Sequence, residues 1–284
     1  MKKATKIALI TAGIIFGVGV ILCLVVGFMT DFRFDNVVIT NEKLEKKTIE
    51  IEDTFKDIEI ITISDDIEIQ PSEDKKCTVS YTDSENTKHR AEVINGKLSI
   101  TEEHIANSWF QFHFFSFSGE KKTIVYLPEE SYGMIHLSTT SGDISCREKM
   151  TSDTLQLNTV SGDIILTNMQ TKNDINIHTT SGNATTESIN CSWIEVNAIS
   201  GDILLDKLTA PKSVSLNTTS GDINLHTIDT EQITAETVSG DISGNLTGYT
   251  IRTETVSGSV TVSDKESGAN ICTLKTVSGD IRIS

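Results

Sequence analysis

The chain has 284 residues with 40 acidic and 24 basic side chains, a net charge of −16, which excludes a surface built to contact nucleic-acid phosphates. Apolar residues make up 37%, weighted towards Ile, Val and Leu, amid many Thr, Ser, Asp and Asn and only three Pro. This mixture suits short strands between turns and excludes a disordered chain, which would carry fewer β-branched residues.

Residues 7–29, IALITAGIIFGVGVILCLVVGFM, are 23 uncharged, mostly apolar positions. At a rise of ~1.5 Å each they reach ~34 Å, enough to cross a bilayer core of ~30 Å. Lys2, Lys3 and Lys6 precede the run and no acidic residue appears before Asp31. The positive-inside rule then predicts a single-pass cell-membrane protein with a cytoplasmic N-terminus and an extracytoplasmic C-terminal domain. A cleaved signal peptide competes with this reading, but GFMTDF offers no A-x-A cleavage site. Leu22 is too large for lipid attachment at Cys23, which reads as a cysteine within the span. Residues 31–284 keep 21 basic and 40 acidic side chains, a net charge of −19 that favours cations or basic partners. Of the five cysteines, Cys77, Cys146, Cys191 and Cys272 lie outside the span. With no C-x-x-C spacing, a zinc knuckle or thioredoxin-type motif is not expected, and disulfide pairing is not readable from sequence.

Four segments are expected: a stub and transmembrane helix over 1–30, a stalk and lead-in strand over 31–56, irregular solenoid coils over 57–131, and a regular repeat over 132–284. In the first irregular coil, IEIITISDDIEI (58–69) places Ile58, Ile60, Ile67 and Ile69 inward around Ser64, with Asp65 where later coils have Gly. VINGKLSI (93–100) reads as another corner at Asn95-Gly96-Lys97, with Leu98 and Ile100 inward. Excursions are expected at about 71–90 and 103–122.

The regular repeat is TTSGDI or a variant, written eight times, with serines at 141, 161, 181, 200, 220, 239, 257 and 278. A period near 20 predicts a single-chain parallel β-solenoid (β-helix), an all-β fold whose coils stack on one another. Six and four places before each Ser stand apolar residues such as Leu155 and Leu157, alternating with polar ones. Three and five places after it stand residues such as Ile164 and Leu166, so the inward parity flips across Ser-Gly. A straight strand cannot flip parity, so the chain turns a corner there. Gly142, Gly162, Gly182, Gly201, Gly221, Gly240, Gly258 and Gly279 are the expected corner pieces, suited by access to positive φ. A third, shorter wall runs through Met169, Ile189, Leu208 and Ile228. Cys146 and Cys272 fall in apolar columns and read as core. Ten coils at ~4.8 Å would stack to about 45 Å. The run IRIS (281–284) ends on an inward-patterned strand, so a bare last rung there would permit end-to-end self-association.

Three signals bear on chemistry. The corner column Asp143, Asp163, Asn183, Asp202, Asp222, Asp241, Ser259 and Asp280 reads as structural, with weak divalent-cation binding as the alternative. Adjacent charges ~4.8 Å apart would repel by ~0.9 kcal/mol in water and ~3.5 at an effective dielectric of 20. The segment WFQFHFFSF carries Trp109, Phe110, Phe112, Phe114, Phe115 and Phe117. It is either a lid over the first coils or a patch that touches lipid or a protein. No H-E-x-x-H, G-x-S-x-G or phosphate loop appears, and a serine repeated eight times is not a nucleophile. An acid pair on a carbohydrate-active β-helix stays open as an alternative.

The apolar run, KDIEIITISDDIEI, TIVYLP and the serial T-x-S-G-D-I strands resemble the bacterial putative-adhesin β-strand-repeat family, over about residues 48–284. Some members of that family are membrane-anchored and encoded with cell-envelope-stress systems. The resemblance implies a non-enzymatic module binding an unknown envelope component or protein, without cofactor, or a regulatory accessory of such a stress system. It supplies no functional residues. Asp65 for Gly and Ser259 for Asp depart from the repeat and would loosen any metal ladder.

Overall fold

The computed structural model describes residues 44–105, 121–263 and 268–284, which belong to one compact unit. They form an all-β parallel solenoid. Among the described residues no helix is long and apolar enough to cross a membrane. The span expected at 7–29 and the aromatic segment 109–117 lie outside them.

The walls follow from the period-2 columns. In-register parallel pairing stacks Leu155, Ile175, Ile194, Val214 and Ile233 along the first wall. Ile164, Ala184, Ile203, Ile223 and Ile242 stack along the second. All ten are buried, and sealing each Val, Leu or Ile inside stabilises by about 1.5–3 kcal/mol. Met169, Ile189, Leu208 and Ile228 line the short third wall. Between the second and third walls the chain bends at Asn168, Ser188, Lys207 and Thr227, whose φ of 53–58° is left-handed. No sequence signal marks this corner, because none of the four is glycine. Cys77, Cys146, Cys191 and Cys272 are free thiols within the core. Burial pushes each of them up to about 12.

Rungs stack in chain order from 131 to 245 but not at either end. Asp57–Ile61 pairs with both Lys97–His104 and Ser131–Thr139. Asp66–Pro71 pairs with both Lys122–Leu127 and Ile144–Cys146. The 57–71 rung therefore lies inside the 97–127 rung. This corrects the reading of VINGKLSI. Leu98 and Ile100 do face inward, but they stack on Ile58 and Ile60 of the first wall. Asn95 and Gly96, at φ of 52° and 76°, form a tight hairpin turn between Thr87–Ile94 and Lys97–His104, not a solenoid corner.

A second exchange sits at the other end. Asn270–Ser278 pairs with both Gln232–Ser239 and Tyr249–Ser257. Ile281–Ile283 pairs with both Ile242–Asn245 and Val260–Val262. The strand expected to be bare is thus interior, with Ile281 and Ile283 buried, and the outermost rung is 249–262. The reason is composition. Cys272, Leu274, Ile281 and Ile283 gain from cover on both sides, whereas the 249–262 rung carries Thr253 and Ser259 and leaves Val256 79% exposed.

The two ends also differ in closure. Cys77–Asp83 pairs antiparallel with Lys122–Leu127, and Glu45–Ile51 with Cys77–Asp83. Thr87–Ile94 pairs antiparallel with Lys97–His104. The first excursion and the lead-in strand therefore cap the outer edges of the 97–127 rung. No strand among the described residues covers the outer edges of Tyr249–Ser257 or Val260–Val262.

Candidate functional site

Three ladders build each Ser-Gly-Asp corner. A Cβ added at Gly201 would lie 1.9 Å from the carbonyl oxygen of Gly182 on the neighbouring rung, and Gly162, Gly182, Gly221, Gly240, Gly258 and Gly279 are equally tight. Gly142 would meet Asp65 O at 2.1 Å. None of these glycines has positive φ, so the expected reason for glycine is corrected: close backbone approach between rungs demands it. Except at Ser200, which Ala198 precedes, the Thr two places before the corner Ser donates its hydroxyl to the neighbouring corner carbonyl, as in Thr218 to Gly201 O and Thr237 to Gly221 O, both at 3.1 Å. The Asp side chain accepts the backbone N–H of the next rung's Asp, as in Asp222 N to Asp202 Oδ1 and Asp241 N to Asp222 Oδ1, both at 2.8 Å. The series closes with Ser259 N donating to Asp280 Oδ1 at 2.8 Å. Ser259 sits on the outermost rung, where no further N–H awaits a carboxylate. At Asp241, the Asp280 N–H and the Arg282 guanidinium hold the carboxyl below its usual range.

Among the described first corners, the one with Asp65 in the glycine position behaves differently. On the side of the 97–127 rung Lys121 O accepts the Asp66 N–H at 3.0 Å, and Asp65 carries a side chain where the later corners carry none. Its carboxylate enters a fully buried pocket and accepts from Thr123 Oγ1 at 2.9 Å. The hairpin places His89 directly opposite Glu102. Glu102 binds this corner's backbone: its Oε2 accepts the Ile63 and Ser64 N–H groups and its Oε1 the Ser64 hydroxyl at 2.9 Å. Burial pushes the Glu102 carboxyl up, but these donors outweigh it and hold the group below its ordinary value.

His89 sits between acids. Its Nδ1 is 3.1 Å from Asp83 Oδ1, and its Nε2 is 3.1 Å from Asp65 Oδ2. The second contact is poorly aligned, so Nε2 makes no directed hydrogen bond and Asp65 Oδ1 has no partner either. The imidazole stacks on Tyr81 with centroids 5.0 Å apart. Burial pushes its pKa down, but Asp65 and Asp83 outweigh that and raise it. Asp83 is anchored from outside by Lys47 Nζ at 2.9 Å. Asp65, His89 and Glu102 each offer a ligand atom, and these atoms lie within 4.8 Å of one another.

The structure thus brings the predicted corner glycines together along one edge, while the aromatic candidates Trp109 to Phe117 fall outside the described residues. His89, Asp83 and Glu102 carry no motif or repeat position that singles them out in the sequence. The usable signal was Asp65, the corner that breaks the glycine rule.

The sequence profile of the family described as Toastrack DUF4097 matches residues 55–284. No curated protein matches the chain. A solved structure described as a putative lipid binding protein from Parabacteroides distasonis ATCC 8503 is 20% identical, with a TM-score of 0.53 over 84% of this chain and 97% of that one. That likeness is one of fold. Two described as putative adhesins, from the same organism and from Bacteroides fragilis NCTC 9343, are 15% and 16% identical, with TM-scores of 0.49 and 0.48. They cover 84% and 85% of this chain and 97% of each of those.

Proposed function

The chain belongs to the Toastrack DUF4097 family, and from that premise we propose that it is a non-enzymatic binding module of the bacterial cell envelope. In this reading residues 7–29 hold it in the membrane, and the solenoid stands on the extracytoplasmic side. The observation that carries the proposal is the asymmetry of the solenoid's ends. The lead-in strand Glu45–Ile51 joins the closed end, and among the described residues the 249–262 rung at the opposite end keeps an unpaired edge with Val256 exposed. An open strand edge suits a protein that offers a binding surface to a partner. Open edges accept an extended segment by main-chain hydrogen bonds. The corner threonines and aspartates are repeated along the stack and hold neighbouring backbone, which favours binding over catalysis.

The test uses cells making the full chain. The membrane fraction should retain it through alkaline washing, and protease added to spheroplasts should digest the solenoid. Envelope fragments or lipid vesicles should pull down the detergent-solubilised chain, and Val256→Lys with Val260→Lys should weaken that retention without lowering the melting temperature. A chain released by alkaline washing, shielded from external protease, or retained equally by the double variant would contradict the proposal.

A further inference from the structure

We propose that Asp65, His89 and Glu102 form a binding site for a divalent transition-metal ion of the zinc class, built into the closed end of the solenoid. The first argument is hydrogen-bond accounting. With Nδ1 of His89 donating to Asp83 at 3.1 Å, the neutral ring turns its Nε2 lone pair towards the Asp65 carboxylate at 3.1 Å. A lone pair facing a carboxylate is repulsive unless a proton or a cation lies between them. The geometry is off-line for a proton, and both His89 Nε2 and Asp65 Oδ1 lack hydrogen-bond partners with no side-chain exposure. Unpaired buried polar atoms are rare in folded proteins, and here they belong to two side chains that, with Glu102, bring ligand atoms within 4.8 Å of one another.

Charge is the second argument. Lys47 answers Asp83. Asp65 and Glu102 are both buried, the one imidazole buried with them is His89, and a divalent ion beside neutral His89 would balance the two carboxylates. Third, the donor set selects the ion. One imidazole nitrogen with carboxylate oxygens suits zinc and its neighbours, whereas calcium and magnesium prefer all-oxygen shells. The Asp83 carboxylate holding the far ring nitrogen is the usual second support of a metal-binding histidine. His104, 3.7 Å from Glu102 Oε1 and half-exposed, stands near enough to join the site.

Such an ion would tie the corner of the 57–71 rung to the Thr87–His104 hairpin, joining first rung and cap through one centre. Glu102 already serves the Ile63 and Ser64 N–H groups, so the competing explanation is a purely polar plug closed by protonated His89.

The experiment uses the untagged full chain in detergent, stripped with chelator and dialysed. Zinc or cobalt alone is added, metal is measured in the protein peak, and melting is followed. The site predicts about one metal per chain, a higher melting temperature, and cobalt absorption bands of an imidazole–carboxylate site. Asp65→Asn, which keeps the shape, should weaken binding at least about tenfold. Asp65→Gly, which restores the corner residue used elsewhere in the stack, should fold and lose the metal response. No metal in the protein peak with an unmoved melt, or equal binding by both variants, would overturn the proposal and leave the polar plug.

Discussion

At the scale of single residues, the repeat records contacts between rungs. Gly201 carries a hydrogen where a methyl would press to 1.9 Å from Gly182 O. Backbone on both sides leaves nothing to yield, so Gly201→Ala should cost about 3 kcal/mol in urea unfolding. A Gly201→Ala chain within about 0.5 kcal/mol of the parent would refute the close-approach explanation. The Asp ladder makes a paired prediction. Asp222→Ala removes the acceptor for Asp241 N–H and should cost roughly 1 kcal/mol. Ser259→Asp adds a carboxylate where no rung follows, and should change stability by less than about 0.5 kcal/mol. Denaturant midpoints for the two variants decide whether the column is a directional ladder.

Strands and corners raise a different question, because the second corner is made without glycine. Thr227 holds φ at 54°, a costly conformation for a β-branched residue. Thr227→Gly should therefore unfold at an equal or higher urea midpoint, gaining up to about 1 kcal/mol despite the flexibility glycine adds to the unfolded chain. The same change at inward Thr218, which donates to Gly201 O, should destabilise instead. The exchanged rungs supply another comparison. Leu274 is fully buried between the 232–245 and 249–262 rungs. Leu274→Ala should cost about 2–5 kcal/mol. Were 270–283 the outermost rung, the loss would be nearer that of a half-covered side chain.

Across the whole solenoid, what could be read from sequence divides along physical lines. The stacked columns, the corner at Ser-Gly and the third wall through Met169 were legible because each coil repeats the same inward alternation. The reason for glycine was not, since a contact between residues 20 apart leaves no local trace. The order of the end rungs was also hidden: period identifies Cys272 and Ile251 as equivalent but says nothing about which lies outside. Asp65 showed as an exception without revealing its partners, because His89 and Glu102 reach it through a hairpin cap that breaks the period.

The stacking order itself is tested most directly by disulfide trapping. Lys275 lies beside Glu236 on one neighbouring strand and Glu254 on the other. Glu236→Cys with Lys275→Cys should therefore cross-link on mild oxidation, since in-register neighbours at ~4.8 Å lie within disulfide reach. Glu236→Cys with Glu254→Cys should not, being two rungs apart. Efficient trapping of 236 with 254, and none of 236 with 275, would contradict the stacked order on which the open edge depends.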